Sequence, residues 1–219
     1  MNDWRKDFRR ARGRLGKILR RAASAAELHD FWRRPDPANR PAGYLEGSDR
    51  SLFLMDIVNR HVPKQAEILE IGCNVGRNLH HLAKAGFTKL SGIEINDEAI
   101  RLLRATFPEL QQTLRLWNDP VEDAITRLHD QQFGLVYTMA VLEHIHPDSE
   151  WIFADMARIT SDVLITVEDE HGVSWRHFPR NYGAVFGALG FEQVEVRDCG
   201  DIEGLGSDFC ARVFKKKGI

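Results

Sequence analysis

Apolar and polar positions follow two periods along this chain, and the change between them divides it. Trp4, Phe8, Ala11, Leu15, Ile18 and Ala22 recur at gaps of three and four with arginines between them, the stripe of an amphipathic helix. Gly13 and Gly16 weaken that helix by roughly 1 kcal/mol each. The run Arg33-Arg34-Pro35-Asp36-Pro37 ends the segment, because proline cannot continue a helix. Residues 1–40 therefore read as a basic helical arm and linker, and residues 41–219 as one domain. A helix from Ser48 or Asp49 to His61 opens that domain, stopping before Pro63.

From residue 66 short apolar runs alternate with helical periods. Strands are predicted at 68–71, 90–94, 114–117, 133–139 and 163–167. Helices are predicted at 75–85, 97–107, 121–128, 149–159 and 181–189, with Gly86 and Gly190 closing the first and last of these. Residues 191–196 and 209–214 alternate in character and read as a closing antiparallel pair. Five strand–helix alternations predict a parallel sheet with helices on both faces.

Composition narrows the class. The 219 residues are 43% hydrophobic and 28% charged, a globular balance that excludes a disordered or collagen-like chain. The longest apolar stretch, Phe133 to Leu142, is about half of what a membrane helix needs. Cys73, Cys199 and Cys210 are too few for a disulfide framework and too scattered for a zinc cluster, which suits reduced thiols in a cytosol. The basic N-terminus lacks the apolar core of a secretory signal, so a soluble, cytoplasmic protein is expected. Charge is uneven: residues 1–40 carry twelve Lys/Arg against five Asp/Glu, the remainder eighteen against twenty-seven. The acidic body is poorly suited to a nucleic-acid backbone, so nucleic acid is not the expected partner.

Candidate chemistry begins where the first strand meets its helix. Ile68-Leu69-Glu70-Ile71 runs into Gly72-Cys73-Asn74-Val75-Gly76-Arg77-Asn78. Gly72 and Gly76 permit a tight turn and close approach of a ligand, and the amides opening the next helix offer donors to it. The dinucleotide fingerprint wants glycine at the first, third and sixth places, here Gly72, Asn74 and Arg77. One match in three speaks against a nicotinamide cofactor. Glu94 ends the second strand twenty-two residues after Gly72, where an acid accepts from both hydroxyls of an adenosine ribose. Ile95 beside it is placed to cover one face of the adenine.

The segment Ile68 to Asn78 resembles motif I of class I S-adenosylmethionine-dependent methyltransferases. Gly92-Ile93-Glu94-Ile95-Asn96 resembles their acidic second motif, Asn118-Asp119-Pro120-Val121-Glu122-Asp123 their adenine-contacting loop, and Phe133 to Ile145 their fourth motif. The likeness covers roughly residues 45–214, with two departures: Asn74 replaces the usual middle glycine, and Gly134 stands where an Asp commonly opens the fourth strand. The resemblance implies an α/β fold, a Rossmann-like doubly wound seven-stranded sheet, mostly parallel with one antiparallel strand near the C-terminus, here with an N-terminal helical extension. It implies S-adenosyl-L-methionine as cofactor, with Glu70, Gly72, Cys73, Asn74, Gly76 and Asn78 around its methionine part. Glu94 and Ile95 would hold the ribose and adenine, Asp119, Pro120 and Val121 would edge the adenine, and Met139 would face the cofactor from the fourth strand. Arg77 or Arg50 would meet the carboxylate.

A sulfonium methyl is already activated, so transfer asks mainly for alignment and exclusion of water. A base is needed only for an acceptor that must lose a proton early. Glu143, His144 and His171 fall on predicted rim loops and are the candidate catalytic groups, histidine being poised near neutral pH. Acceptor contacts are expected from Tyr44 and from Trp175, Arg176, His177, Arg180 and Tyr182. Terminal-ribose methyltransferases of small RNAs and ubiquinone-pathway O-methyltransferases resemble the Glu143-His144 segment, but carry a further Glu where this chain has Ala140. Glu143, His144 and His171 still offer ligand atoms, yet without that acid no metal is expected.

The expected activity is methyl transfer, an EC 2.1.1 type reaction, to an oxygen or nitrogen of a small molecule or glycan. Two alternatives remain on the residues alone: a non-catalytic nucleotide-binding or regulatory module on the same fold, and a nucleic-acid methyltransferase using the basic arm. The arm itself has three readings. It covers the acceptor pocket or a partner subunit, it lies on a membrane surface as basic amphipathic helices do, or it contacts nucleic acid. The oligomeric state is left open.

Overall fold

The computed structural model describes residues 23–218. The predicted stripe from Trp4 to Ala22 lies outside the described residues. Helix α1 (Ala25–Arg33) starts at Ser24, whose hydroxyl and the Glu27 carboxylate form a reciprocal capping box, satisfying two otherwise orphaned donors. It stops one residue short of Arg34-Pro35, as proline demands. Helix α2 (Asp49–His61) ends before Pro63.

Seven strands follow: β1 (Ile68–Ile71), β2 (Leu90–Ile93), β3 (Arg115–Trp117), β4 (Phe133–Met139), β5 (Thr160–Asp169), β6 (Phe191–Asp198) and β7 (Phe209–Lys216). Their order across the sheet is β3-β2-β1-β4-β5-β7-β6. All neighbours run parallel except at β7, which is antiparallel to both β5 and β6. The fold is therefore the expected α/β, Rossmann-like doubly wound sheet. Strand order reverses between β1 and β4, and the crevice at the carboxyl ends of these two strands is where such sheets bind ligands.

Helices α3 (Arg77–Lys84) and α4 (Asp97–Thr106) join α2 on one face, where Leu54, Ile57, Leu79, Leu82 and Leu103 pack against Ile68, Leu135 and Ile165. Helices α5 (Val121–Ile125), α6 (Ile152–Ile159) and α7 (Tyr182–Ala188) cover the other, through Ile125, Ile152, Met156 and Phe186 against Leu69, Val136 and Leu164. Side chains of a strand alternate between faces, so β1 sends Ile68 to one layer and Leu69 to the other.

Several boundaries differ from the sequence prediction, each for a local reason. Helix α3 begins at Arg77 because Gly76 sits at φ 74° as its N-cap, which holds Val75 in the turn. Helix α6 begins at Ile152 because Pro147 first forms a separate 3-10 turn capped by the His146 side chain. Strand β5 extends back to Thr160 and on to Asp169, since β4 and β7 pair with it along both edges.

The far edge is tied to α2 by ions. Both Glu195 oxygens accept from Arg60 at 2.8 Å, with His61 at 2.6 Å and Arg197 at 2.7 Å. These partners, Arg60 first, hold the Glu195 carboxyl down to about 2. The resulting stability is complete above the ordinary value of 4.5 and is lost as pH falls toward 2. Glu195→Gln is expected to flatten the acid limb of a Tm–pH curve in that window. At pH 7 it should cost about 1 kcal/mol or less, solvent screening the network.

Candidate active site

A cavity of about 400 Å³ opens at the carboxyl ends of β1, β2 and β4. Its floor is the turn after β1. The amides of Gly72 and Cys73 both donate to the Ile93 carbonyl, at 2.8 and 3.0 Å, which folds the turn back over β2. Gly72 has φ 74°, and a Cβ there would stand 2.4 Å from Val141 Cγ2. Only glycine lets the β1 turn and the β4 loop approach this closely. Asn74 also adopts a left-handed conformation, φ 47°, which asparagine tolerates best among side-chain-bearing residues. The departure from a middle glycine is thus accommodated by the backbone.

Glu94 is buried against this turn. Its Oε2 accepts from the Asn74 amide and its Oε1 from the Asn96 amide, both at 2.8 Å. Burial pushes its carboxyl above the usual range, while those amides pull it back. Asn96 caps α4 by accepting from Glu98 and Ala99, and its Nδ2 donates to the Trp32 carbonyl at 2.9 Å. The acid, the turn and α1 are therefore one connected structure.

Beneath the turn Glu70 is 2% exposed and accepts from Asn78 Nδ2 at 2.8 Å. Burial raises its carboxyl to about 8, so it is predominantly neutral at pH 7. Ser51 donates to Asn78 Oδ1 at 2.7 Å and accepts from Arg77 Nε at 2.9 Å. The two Arg77 Nη1 donations go to the Tyr44 and Glu46 carbonyls. Arg77 is consumed by the scaffold. Arg50 lines the cavity, and its buried Nε has no hydrogen-bond partner. Ile95, Asp119, Pro120, Val121 and Met139 complete this side of the wall. Asp119 is ion-paired with Arg127.

The other side is built on the loop after β4. Glu168, fully buried on β5, accepts with Oε2 from the amides of Val141, Leu142 and Glu143 at 2.9, 2.9 and 3.4 Å. Glu143 accepts from the Asp169 amide at 2.6 Å. Burial, then the adjacent Glu168, raises the Glu143 carboxyl to about 9. His144 Nδ1 bonds the Arg176 carbonyl at 2.9 Å. A carbonyl only accepts, so the proton is on Nδ1. Burial lowers the His144 imidazole to about 3, leaving it neutral with a bare Nε2. Its ring lies 4.6 Å from both Trp32 and His177.

The residues predicted as a group separate here. Tyr44, Glu143, His144, Arg176 and His177 line the cavity. His171 does not: it is exposed, its amide bonded to Asp169. Trp175 lies outside the lining and holds α1, accepting from the Ala23 amide and packing on Phe31. Arg180 spends its donors on Glu150 and on the Leu142, Ile145 and Phe178 carbonyls. Tyr182 is fully buried under α6 and α7. Trp32, His29 and Glu122 line the cavity but were not predicted. The Glu122 carboxylate meets His29 at 3.1 Å and is held below its usual range, while His29 is raised. No spacing rule brings α1 onto this rim; one of the three readings of the arm puts it over the acceptor pocket, but none names Trp32.

The sheet order, the glycine turn and the buried acid after β2 are the arrangement implied by the resemblance to class I S-adenosylmethionine-dependent methyltransferases. Residues 68–162 match the family model described as a methyltransferase domain. The 1,6-didemethyltoxoflavin-N1-methyltransferase of Burkholderia thailandensis, solved with its substrate and S-adenosylhomocysteine, superposes with a TM-score of 0.69 at 14% identity, covering 91% of this chain and 93% of that one. The magnesium protoporphyrin IX methyltransferase of Synechocystis, solved with S-adenosylmethionine, gives 0.67 at 13%, covering 90% and 100%. The [4+2]-cyclase SpnF gives 0.67 at 13%, covering 90% and 98%. At these identities the likeness is one of fold, and the cyclase shows that the fold alone does not fix the reaction.

Proposed function

We propose that this protein transfers a methyl group from S-adenosylmethionine to an oxygen or nitrogen of a small-molecule or glycan acceptor held between α1 and the β4 loop. The observation that carries the reading is Glu94, a buried carboxylate clamped by two amides at the edge of the cavity beside the glycine turn. The residues fit the cofactor. Glu94 accepts the two ribose hydroxyls, Ile95 and the Asp119–Val121 segment flank the adenine, and the Gly72–Gly76 turn runs along the methionine part. Arg50, with an unpartnered buried Nε, takes the carboxylate in preference to Arg77.

When bound, S-adenosylmethionine supplies an electrophilic methyl on a positively charged sulfur. The chain's own task is then placement. Trp32, in tilted ring contact with His144, closes the acceptor side against water. His144 Nε2 accepts a hydrogen bond from the acceptor's O–H or N–H and fixes its direction. Its low basicity makes it an orienting group. Alignment of this kind contributes up to roughly 7–11 kcal/mol in the best cases.

The test is titration calorimetry with S-adenosylmethionine, joined to a tritiated-methyl transfer assay on cell extract. Micromolar binding and a labelled small product support the reading. Absence of binding refutes it, and label in nucleic acid would move the function to the basic-arm alternative. Arg50→Ala should weaken binding about tenfold, the loss of one charge-assisted contact. Arg77→Ala should instead lower Tm, because its guanidinium ties Ser51 to the Tyr44 and Glu46 carbonyls.

A further inference from the structure

We infer that Glu143, His144 and His177 form a binding site for one divalent first-row transition ion on the acceptor wall of the cavity. The inference rests on the acceptor placement proposed above but is testable without it. One ligand atom from each of the three residues falls within 4.8 Å of the others. Glu143 Oε1 lies 3.6 Å from His144 Nε2 and 4.0 Å from His177 Nε2. Two ligands sharing an ion at about 2.0–2.2 Å each stand roughly 3–3.5 Å apart, so side-chain shifts of up to about 1–1.5 Å close the set.

The atoms facing away from that point are already tied down. His144 Nδ1–H donates to the Arg176 carbonyl, and Glu143 Oε2 accepts from the Asp169 amide. His177 Nδ1 lies 2.6 Å from Ser174 Oγ, which accepts from it in the tautomer that bares Nε2. Outer bonds of this kind orient metal-ligating imidazoles and carboxylates. Glu143 Oε1 makes no bond to lysine or arginine among the described residues. Loading the ion exchanges the proton of the buried Glu143 carboxyl for a dication, so that the buried carboxylate is coordinated.

The donor set selects the ion. Two imidazole nitrogens and one carboxylate oxygen suit zinc, cobalt, manganese or iron better than magnesium, which favours oxygen. All three residues line the cavity, so the remaining coordination positions open onto the acceptor. In the loaded site the ion takes His144 Nε2, and an oxygen donor of the acceptor meets the ion in place of the hydrogen bond that Nε2 offers in the metal-free site. His177 supplies what sequence spacing could not. The expectation of no metal weighed His171 as the third ligand beside Ala140, whereas the chain places His171 outside the cavity and His177 within it.

The experiment uses the full chain stripped with chelator and titrated with Co²⁺, followed by calorimetry and visible absorption. One equivalent should bind, with ligand-field bands and without the intense near-ultraviolet band of a cobalt thiolate. His177→Ala and Glu143→Gln should each weaken binding by tenfold or more. Ser174→Ala should weaken it by about tenfold through the lost outer bond. His171→Ala should leave it unchanged, and circular dichroism checks that each variant folds. Failure of the wild-type chain to bind Co²⁺, Zn²⁺ or Mn²⁺ overturns the inference. So does binding that survives both His177→Ala and Glu143→Gln, or that depends on His171. S-adenosylmethionine affinity of the stripped chain is measured in parallel. If it persists where metal binding fails, this inference falls and the proposed function stands.

Discussion

Glu94→Ala is expected to lower the affinity for S-adenosylmethionine by about 100-fold, measured by calorimetry at pH 7.5. Hydrogen bonds to a charged group contribute about 1.5–3 kcal/mol each, and the carboxylate is placed to accept two from the ribose. Their loss alone is worth two decades or more. The substitution also strips the acceptors from the Asn74 and Asn96 amides, so the turn and the α4 cap loosen together. Glu94→Gln separates the two effects. Its carboxamide keeps one acceptor oxygen but turns an N–H toward one of those amides, and an intermediate loss of about tenfold follows. Acidity provides a second check. The ionised carboxyl is the acceptor, and burial holds its pKa above the ordinary value of 4.5. Wild-type affinity should therefore decline as pH falls, beginning at a higher pH than an ordinary glutamate would give, and Glu94→Gln should abolish that dependence. An affinity unchanged in Glu94→Ala would remove the basis for the cofactor assignment.

How much of the fold and site is legible in the sequence follows from which interactions are local. Strands β1 and β4 are apolar runs interrupted only by Glu70 and Thr138, near what strands buried on both faces require, and both are bounded as predicted. The glycine turn is written in Gly72 and Gly76 because backbone with positive φ leaves a mark in the sequence. Glu94 is legible for a similar reason, lying at a fixed distance within one strand–helix–strand unit. The wall proposed to face the acceptor is assembled otherwise. Trp32 comes from α1, His144 from the β4 loop and His177 from the loop after β5, and 112 residues separate Trp32 from His144. No spacing rule reaches across such a distance. His171 and His177 are equivalent in sequence. What separates them is Asp169, whose side chain accepts from the amides of His171 and Gly172 and turns the chain outward before it returns. Arg180 and Tyr182 show the converse error: polar tips near a rim suggest acceptor contacts, but here a guanidinium staples loop carbonyls and a phenol fills the core.

Glu168→Ala is expected to be the most destabilising single change near the site, by about 3–5 kcal/mol. The side chain is fully buried and one oxygen receives three successive amides, those of Val141, Leu142 and Glu143. Truncation leaves those N–H groups without an acceptor in a place water does not reach. Each such orphan costs about 1–3 kcal/mol, with the 3.4 Å contact at the low end. For a chain of this size the loss corresponds to a fall in Tm of roughly 10 °C, read by scanning calorimetry. Glu168→Gln preserves shape and one acceptor oxygen, and should cost less than about 1.5 kcal/mol. The contrast identifies the oxygen, rather than the volume, as what holds the loop. It also separates the two halves of the cavity. Glu168 touches none of the groups proposed around the cofactor's ribose, so Glu168→Gln, which keeps the loop's acceptor oxygen, should bind S-adenosylmethionine normally. If Glu168→Ala were as stable as the wild-type chain, the loop would have to find its acceptors elsewhere. Glu143 and His144 would then not be held against the cavity by β5, and the acceptor wall would lose its anchor.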